Sequence, residues 1–278
     1  MERIKAAIAK AKKDQVNQPG AKRNIASSGP LGGKETPEQD PHAIENLEYK
    51  QTRIVELDND LLASNRIIAY NKNNLLSGSF DLLRTQVLHK MEENGWKTIA
   101  ITSPTPEAGK TVVSINLAMS IAQQTEKTAM LVDFDLKKPK IARYLGLDLD
   151  ESINDVFENE KPVEEVLINP GIPRFVVLAA KKSMRNSSEL LSSNKARTLI
   201  QDVKGRYKDR IVVFDLPPLL NTDDAIAVLP QIDCVLMVIA NGMSTKQEIE
   251  DSMRYLPAAN LLGVVLNKSE ESTSSYYY

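Results

Sequence analysis

Short apolar segments that alternate with helical segments are the feature that most restricts the fold of this chain. From residue 98 onward these segments are four to seven residues long and rich in Val, Ile and Leu, as strands covered on both faces must be. They are Thr98–Thr102, Thr128–Phe134, Arg174–Ala180, Ile211–Phe214, Cys234–Ala240 and Leu261–Leu266. Helices are predicted near Ser79–Met91, Lys110–Gln124, Asn194–Val203, Asp223–Leu229 and Lys246–Tyr255. The alternation predicts a three-layer α/β fold with a mostly parallel central sheet flanked by helices.

The segment that joins the first of these strands to the next helix has the clearest chemical pattern. It reads SPTPEAGKT from Ser103 to Thr111, and its Gly-Lys-Thr end is what a phosphate-binding P-loop requires. Gly109 lets backbone N–H groups close around a phosphate at a helix N-terminus. Lys110 can reach β- and γ-phosphates, and the Thr111 hydroxyl can ligate Mg²⁺. Pro104 stands where the strict pattern has its first glycine.

Aspartates follow two of the predicted strands. Asp133 and Asp135 end the strand after the P-loop helix and are spaced to project to the same side. Asp215 ends the strand before Leu-Pro-Pro. Ligands of open α/β sheets bind beyond the carboxyl ends of the strands, so we expect the three carboxylates to converge near Lys110. One such aspartate could be a turn or capping residue, but three after Gly-Lys-Thr predict a magnesium–nucleotide site on a P-loop NTPase fold.

Composition and charge exclude several other classes of protein. The 278-residue chain has a formal net charge of −2, so no global basic field argues for a nucleic-acid partner. Its one cysteine, Cys234, excludes an intrachain disulfide framework and a multi-cysteine zinc site. The longest apolar stretch, Ile232–Ala240 with Asp233 as its one charged residue, is far shorter than the roughly 20 residues that span a bilayer, and the N-terminus lacks a signal-peptide core. We expect a cytosolic chain, held at a membrane only through another protein.

The two ends of the sequence differ in composition from the middle. Residues 1–45 are predicted to form a basic helix and then a flexible linker rich in Gly, Pro and Ser. That helix could dock on a partner or an anionic membrane, or could be a loosely held tail. Residues 46–268 are the predicted nucleotide-binding domain. Residues 269–278 are a predicted disordered tail, because its terminal Tyr276–Tyr278 cannot bury well beside serines and glutamates.

Four segments together resemble the bacterial tyrosine kinase (BY-kinase) family of capsule and exopolysaccharide assembly, over a stretch from about Phe80 to Lys268. The segments are Thr102–Thr111, Leu131–Pro139 (LVDFDLKKP), Ile211–Pro218 (IVVFDLPP) and Asn186–Leu191 (NSSELL). The tyrosine ending agrees, since these kinases phosphorylate one another on a C-terminal tyrosine cluster. The resemblance implies an ATP-dependent protein-tyrosine autokinase that acts in trans and regulates polysaccharide synthesis or export.

The resemblance also implies a role for each site residue. Lys110 would neutralise the β- and γ-phosphates of ATP, and Thr111 and Asp215 would hold Mg²⁺. Asp133 would share that metal site and act as the base toward the incoming tyrosine hydroxyl, with Asp135 supporting the metal shell. The implied nucleotide contacts are Pro106, Glu107, Ala108, Gly109, Lys110, Thr111, Val112, Lys137 and Asn267. The implied phosphoacceptors are Tyr276, Tyr277 and Tyr278.

Some positions depart from the family pattern. Lys137 stands where the family has arginine, which keeps the charge and loses bidentate geometry. The family's Glu-x-x-Arg-x-x-Arg helix, which joins subunits into a ring, corresponds here to Gly78, Asp81 and Arg84. Arg84 is therefore the one expected oligomer contact left from that motif. Asn267 could contact the nucleotide base or could belong to a strand-end turn.

The resemblance implies a partner as well as cofactors. The cofactors are ATP and Mg²⁺, and the chain is expected to form homo-oligomers. A separate membrane polysaccharide co-polymerase (Wzz-like) would activate it at the inner face of the plasma membrane. An alternative from another class is a nucleotide-dependent ATPase switch or scaffold, MinD/ParA-like, with little or no tyrosine transfer. The DNA-partitioning and septum-positioning ATPases carry a second lysine where this chain has Thr105, which disfavours that class.

Overall fold

The computed structural model describes residues 52–74, 76–124, 126–256 and 260–269. These residues belong to one compact unit of the chain. The predicted N-terminal helix and linker, and the tail Tyr276–Tyr278, lie outside the described residues. In the part that is described, no helix is both long and apolar enough to cross a bilayer.

Eight strands of the described chain form one sheet. They are β1 (Arg53–Ile54), β2 (Thr98–Thr102), β3 (Thr128–Asp133), β4 (Ile168–Asn169), β5 (Phe175–Leu178), β6 (Arg210–Asp215), β7 (Cys234–Ala240) and β8 (Asn260–Asn267). Their order is β1-β4-β5-β3-β6-β2-β7-β8. Every neighbouring pair is parallel except β4 with β5. The predicted mostly parallel sheet is confirmed.

Helices flank this sheet. They are α1 (Asn59–Ser64), α2 (Ser77–Glu93), α3 (Lys110–Ala122), α4 (Ile141–Leu145), α5 (Ile153–Asn159), α6 (Val163–Val166), α7 (Ser187–Leu191), α8 (Asn194–Gly205), α9 (Asp224–Val228) and α10 (Lys246–Met253). A 3₁₀ turn, Leu229–Gln231, follows α9 directly. The longer helices match the predicted segments to within a few residues.

Alternate residues of the central strands pack into two separate cores. On β2, Ala100 belongs to one apolar cluster, whereas Ile99 and Ile101 belong to the other. On β3, Met130 and Leu131 divide in the same way. Because side chains alternate across a strand, the two clusters lie on opposite faces of the sheet. This explains why the strands are apolar throughout instead of alternating with polar residues.

The segment before α2 is fastened to the P-loop helix by one buried amide. Asn116 of α3 accepts hydrogen bonds from the backbone of Ile68 (2.8 Å) and Ala69 (2.9 Å), and it donates to the Arg66 carbonyl (3.0 Å). The alternation of Thr52–Leu57 predicts a longer strand than β1, which keeps only Arg53–Ile54 opposite the equally short β4.

Candidate nucleotide and metal site

The predicted P-loop connects β2 to α3 and is closed tightly. Glu107 and Gly109 have left-handed backbone, with φ of 63° and 91°. A Cβ at Gly109 would lie 2.1 Å from Asn267 Nδ2, so only glycine fits there without strain or displacement. The Asn267 amide donates to the Ala108 carbonyl at 2.8 Å and ties the loop to the end of β8. A closed loop at a helix N-terminus is the geometry that binds phosphate.

Lys110 is buried at the start of α3 and pairs with the acidic strand ends. Its Nζ lies 2.8 Å from Asp135 Oδ2 and 3.9 Å from Asp215 Oδ1. Burial by itself would lower the pKa of Lys110, but the carboxylates of Asp215 and Asp135 outweigh burial and raise the pKa. Lys110 is therefore charged at neutral pH, as a phosphate ligand must be.

Asp215, at the end of β6, is fully buried and is held by two hydroxyl groups of α3. Thr111 Oγ1 donates to its Oδ2 at 2.7 Å, and Ser114 Oγ donates to its Oδ1 at 3.0 Å. Burial raises the pKa of Asp215, opposed by the charge of Lys110 and by the two hydroxyl donors. Ser114 is absent from the predicted site residues. Its spacing of three residues from Thr111, on the same helix face, was the available signal.

Asp133, at the end of β3, is fully buried, and its two carboxylate oxygens differ in their hydrogen bonding. Its Oδ2 accepts hydrogen bonds from the backbone N–H groups of Lys140 (3.2 Å) and Ile141 (3.1 Å). Its Oδ1 has no hydrogen-bond partner among the described residues. Burial, and then the charge of Asp215, raise the pKa of Asp133 to about 8. A buried acceptor of this kind suits a cation or a substrate hydroxyl group.

The donor set fits Mg²⁺ when the ion binds together with a nucleotide. The described residues hold no group of three or more side chains already arranged around a metal position. Mg²⁺ in phosphate-transfer sites is bound by one or two carboxylates, with phosphate oxygens and water as the remaining ligands. The Thr111 hydroxyl, Asp215 and the unpartnered Oδ1 of Asp133 are hard oxygen ligands of that kind. When all three are ionised, Asp133, Asp135 and Asp215 carry more negative charge than is balanced by the single positive charge of Lys110, which contacts Asp215 and Asp135.

The structure places Lys137 against the segment that follows β6. Its Nζ lies 2.9 Å from Thr222 Oγ1 and 2.9 Å from Asp224 Oδ1. Asp224 is fully buried, and neither it nor Thr222 is a predicted site residue. Their sequence, Thr-Asp-Asp before a helix, is typical of a helix start and offered no sign of a site. A contact of Lys137 with nucleotide stays a prediction.

Arg84 of α2 lies against α3. Its Nη1 donates to Asp81 Oδ1 at 2.8 Å, to the Ser120 carbonyl at 3.2 Å and to Ser120 Oγ at 3.3 Å. Asp81 also pairs with Lys72 at 2.8 Å. The Arg84 side chain is 15% exposed. Its described contacts are therefore internal, and its role between subunits stays a prediction.

The closed loop, the buried lysine and the aspartates at the ends of β3 and β6 define a nucleotide-binding protein of the P-loop NTPase type. The chain belongs to the AAA domain family, which matches residues 96–257. That range contains the P-loop and the three site aspartates. It leaves out Arg84, Asn267 and the tyrosine tail.

Similar proteins carry the name of tyrosine-protein kinase. The chain is similar to tyrosine-protein kinase ptk of Acinetobacter johnsonii, with 29% identity over 209 residues that cover 74% of this chain and 28% of the relative. It is also similar to putative tyrosine-protein kinase CapB of Staphylococcus aureus, with 28% identity over 206 residues, 73% of this chain and 89% of CapB. The chain spans about a quarter of the length of the first curated relatives. The resemblance to bacterial tyrosine kinases is confirmed.

Solved structures agree with the predicted fold. The kinase domain of Escherichia coli tyrosine kinase ETK has a TM-score of 0.69 at 25% identity, covering 88% of this chain and 99% of that domain. The septum site-determining protein MinD of Pyrococcus horikoshii, in complex with Mg-ADP, has a TM-score of 0.53 at 20% identity, which shows likeness of fold alone. The P-loop NTPase fold is confirmed.

Proposed function

We propose that this chain is an ATP- and Mg²⁺-dependent protein-tyrosine autokinase that regulates polysaccharide synthesis or export. The observation that carries the proposal is the unpartnered, buried Oδ1 of Asp133, which stands opposite Asp215 in the register of β3 and β6. Hydrolysis of a nucleotide needs the P-loop and its metal ligands. Transfer of the γ-phosphoryl group to a hydroxyl acceptor, tyrosine or water, also needs a group that can take the hydroxyl proton, and we assign that role to Asp133. The kinase relatives support the same conclusion.

Different residues of the loop and the strand ends would bind the phosphates and the metal ion. Lys110 would bind β- and γ-phosphate oxygens and give up its contact with Asp135. Thr111 and Asp215 would hold Mg²⁺, with Asp133 beside them and Asp135 supporting this shell. The bound ion would neutralise charge on the phosphates. Ser114 keeps Asp215 in place through its 3.0 Å hydrogen bond.

Transfer to tyrosine requires a proton acceptor at the attacking oxygen. As the tyrosine oxygen bonds to the γ-phosphorus, the bond from that phosphorus to the departing ADP oxygen breaks, and the hydroxyl proton passes to Asp133. A tyrosine hydroxyl group has a pKa of about 10, so it needs an ionised carboxylate within hydrogen-bond reach. Burial and the charge of Asp215 raise the pKa of Asp133 to about 8 without ligands, so the positive charge of a bound Mg²⁺ would be needed to favour the ionised form at neutral pH.

We propose that the phosphoacceptors are Tyr276, Tyr277 and Tyr278 of a neighbouring copy. These residues lie outside the described part of the chain, and the proposal is supported by a tyrosine-rich ending in a sequence that also has a kinase-like site. The same proposal places the chain in a homo-oligomer, at the inner face of the plasma membrane. A membrane polysaccharide co-polymerase would hold and activate it there.

A nucleotide-dependent switch or scaffold with little tyrosine transfer is the second candidate. The internal contacts of Arg84 favour it, because they occupy the residue that a kinase ring would use. The likeness of fold to MinD is compatible with both candidates.

Mass spectrometry of the C-terminal peptide separates the two candidates. We expect the full chain, incubated with Mg-ATP and the cytoplasmic segment of the co-polymerase, to gain phosphate on Tyr276–Tyr278. Lys110→Met should abolish the signal, because no other described cation contacts Asp135 and Asp215. Lys246→Met removes an exposed charge on α10 (62% exposed) and should leave it intact.

Absence of phosphotyrosine with the co-polymerase segment present would contradict the kinase proposal. Nucleotide-dependent assembly and ATP hydrolysis that persist after removal of Tyr276–Tyr278 would then support the switch.

A further inference from the structure

We propose that Asp224 and Lys137 are positioning residues of the transfer site, which fix the loop of residues 136–141 that holds Asp133 and Asp135. The kinetic part of this inference rests on the proposed kinase function. Neither Asp224 nor the ammonium group of Lys137 needs to touch the nucleotide for it to hold.

The anchor is a buried carboxylate outside the catalytic set. Asp224 has no exposed surface, and its Oδ1 lies 2.9 Å from Lys137 Nζ. Thr222 Oγ1 accepts from Lys137 at 2.9 Å and donates to Asp224 Oδ1 at 2.6 Å. Asp224 Oδ2 is buried without a hydrogen-bond partner among the described residues. Loss of the lysine would leave this carboxylate buried and uncompensated, which proteins tolerate poorly.

The backbone of the 136–141 loop holds both site carboxylates of β3. The N–H of Lys138 donates to Asp135 Oδ1 at 3.2 Å. The N–H groups of Lys140 and Ile141 donate to Asp133 Oδ2. The orientation of the proposed base therefore depends on where this loop lies.

The loop is attached to its surroundings at three points. Ser183 Oγ donates to the Lys137 carbonyl at 2.6 Å, and the Met184 N–H donates to the Leu136 carbonyl at 2.8 Å. The third attachment is the contact of the Lys137 side chain with Asp224. Because Asp224 begins the helix that follows β6, this contact joins the end of β3 to the segment after Asp215. Lys137 then acts on Asp133 through the loop, in the place where the kinase family has arginine.

Hydrogen–deuterium exchange of the full chain tests the loop directly. In Lys137→Met we expect the amides of Lys138, Lys140 and Ile141 to exchange at least about tenfold faster, since local opening sets exchange rates. Asp224→Asn should do the same, and the double variant should add little, because both remove one interaction. Lys137→Arg keeps the charge and should restore protection. Lys138→Met is the matched control, because its side chain has no ion pair among the described residues, and it should leave exchange unchanged.

Tyrosine phosphorylation kinetics supply the second readout. Lys137→Met should lower kcat about tenfold or more while KM for ATP stays within about threefold, because the P-loop contacts are unaffected. Unchanged loop exchange in Lys137→Met, or equal loss of protection in Lys138→Met, would overturn the inference. A raised KM with unchanged kcat would also overturn it, since that pattern indicates direct nucleotide contact. If the unmodified chain transfers no phosphate, the kinase proposal fails, and the exchange data still decide the role of Asp224.

Discussion

Asp133 shows how burial of one carboxyl group changes its chemistry. Removal from water disfavours its charged form, and the nearby charge of Asp215 adds to this, so that its pKa is about 8. In an unfolded chain the same group would have a pKa of about 3.9. Between these two values the folded protein keeps a proton that the unfolded chain releases.

This difference predicts how stability changes with pH in the presence of EDTA. The contribution of Asp133 is fully present below about pH 3.9 and is lost as pH rises to about 8, by up to about 1.4 kcal/mol per pH unit. Asp133→Asn cannot ionise and should gain stability over the native chain across that range. Thermal unfolding of both proteins from pH 5 to pH 9 measures the difference in stability between them.

An exposed carboxylate provides the control for this pH series. Asp148 is exposed, and Asp148→Asn should follow the native chain at every pH. A constant gap between Asp133→Asn and the native chain would mean that Asp133 is already ionised at pH 5.

Some site residues could be predicted from sequence and others could not. Asp133, Asp135 and Asp215 come together because parallel strands end at one edge of the sheet, a rule that needs only the strand order along the chain. Ser114 and Asp224 reach the same region through hydroxyl and side-chain contacts that depend on tertiary packing. Aspartate at a helix start is too common to single out, and the three-residue spacing of Ser114 from Thr111 indicates only that the two hydroxyl groups share a helix face.

At the scale of elements, α2 is joined to α3 by a polar cluster inside the molecule. Arg84 and Ser120 both contact Asp81 Oδ1, and Lys72 completes the cluster from the segment before α2. The carboxylate of Asp81 occupies the place of an arginine in the kinase ring motif. The helix that joins subunits in that family therefore has contacts here that stabilise the chain itself.

Arg84→Ala should lower the free energy of unfolding by about 1–3 kcal/mol, because hydrogen bonds to a charged group are lost and Asp81 loses a countercharge. Chemical denaturation measures this effect, and sedimentation velocity should show unchanged assembly. Gln86→Ala, at an exposed position of the same helix, should change neither. Weaker assembly with unchanged stability would show instead that Arg84 works between subunits.

Element length decided which parts of the fold were predictable. Helices α2, α3 and α8 are three turns or longer, and the strands β2, β3 and β7 are short, mostly apolar runs, so their bounds are close to the predicted ones. The helices α4 to α7 have seven residues or fewer, and β4 has two. Two turns or less give no readable period, and these elements are held in place by tertiary packing instead.

At the scale of the whole molecule, phosphorylation would change the charge of the chain. The formal net charge is −2, and three phosphotyrosines would each add about −1.5 to −2. Phosphorylated chains should repel one another, and the phosphotyrosines should be repelled by the acidic strand ends of a neighbouring copy. We expect a shift from assemblies to monomers in sedimentation velocity after incubation with Mg-ATP, weaker at high salt because ions screen exposed charges.

Replacement of all three tyrosines separates phosphorylation from nucleotide binding. The variant Tyr276→Phe, Tyr277→Phe, Tyr278→Phe should stay assembled under the same conditions. Dissociation of this variant to the same extent as the native chain would exclude the tail as the cause.

The ion pair of Lys110 with Asp135, 2.8 Å apart, has a thermodynamic consequence for how ligands enter. A bound phosphate would compete with Asp135 for the ammonium group of Lys110. Metal or nucleotide binding alone would therefore have to weaken the ion pair between Lys110 and Asp135. A divalent cation bound to the carboxylates would weaken their ion pairs with Lys110. A phosphate bound to Lys110 would remove the countercharge of the carboxylates and so favour binding of the cation. Each ligand must then tighten binding of the other by the same factor. We therefore expect the site to bind the metal–nucleotide complex more tightly than either the metal or the nucleotide alone.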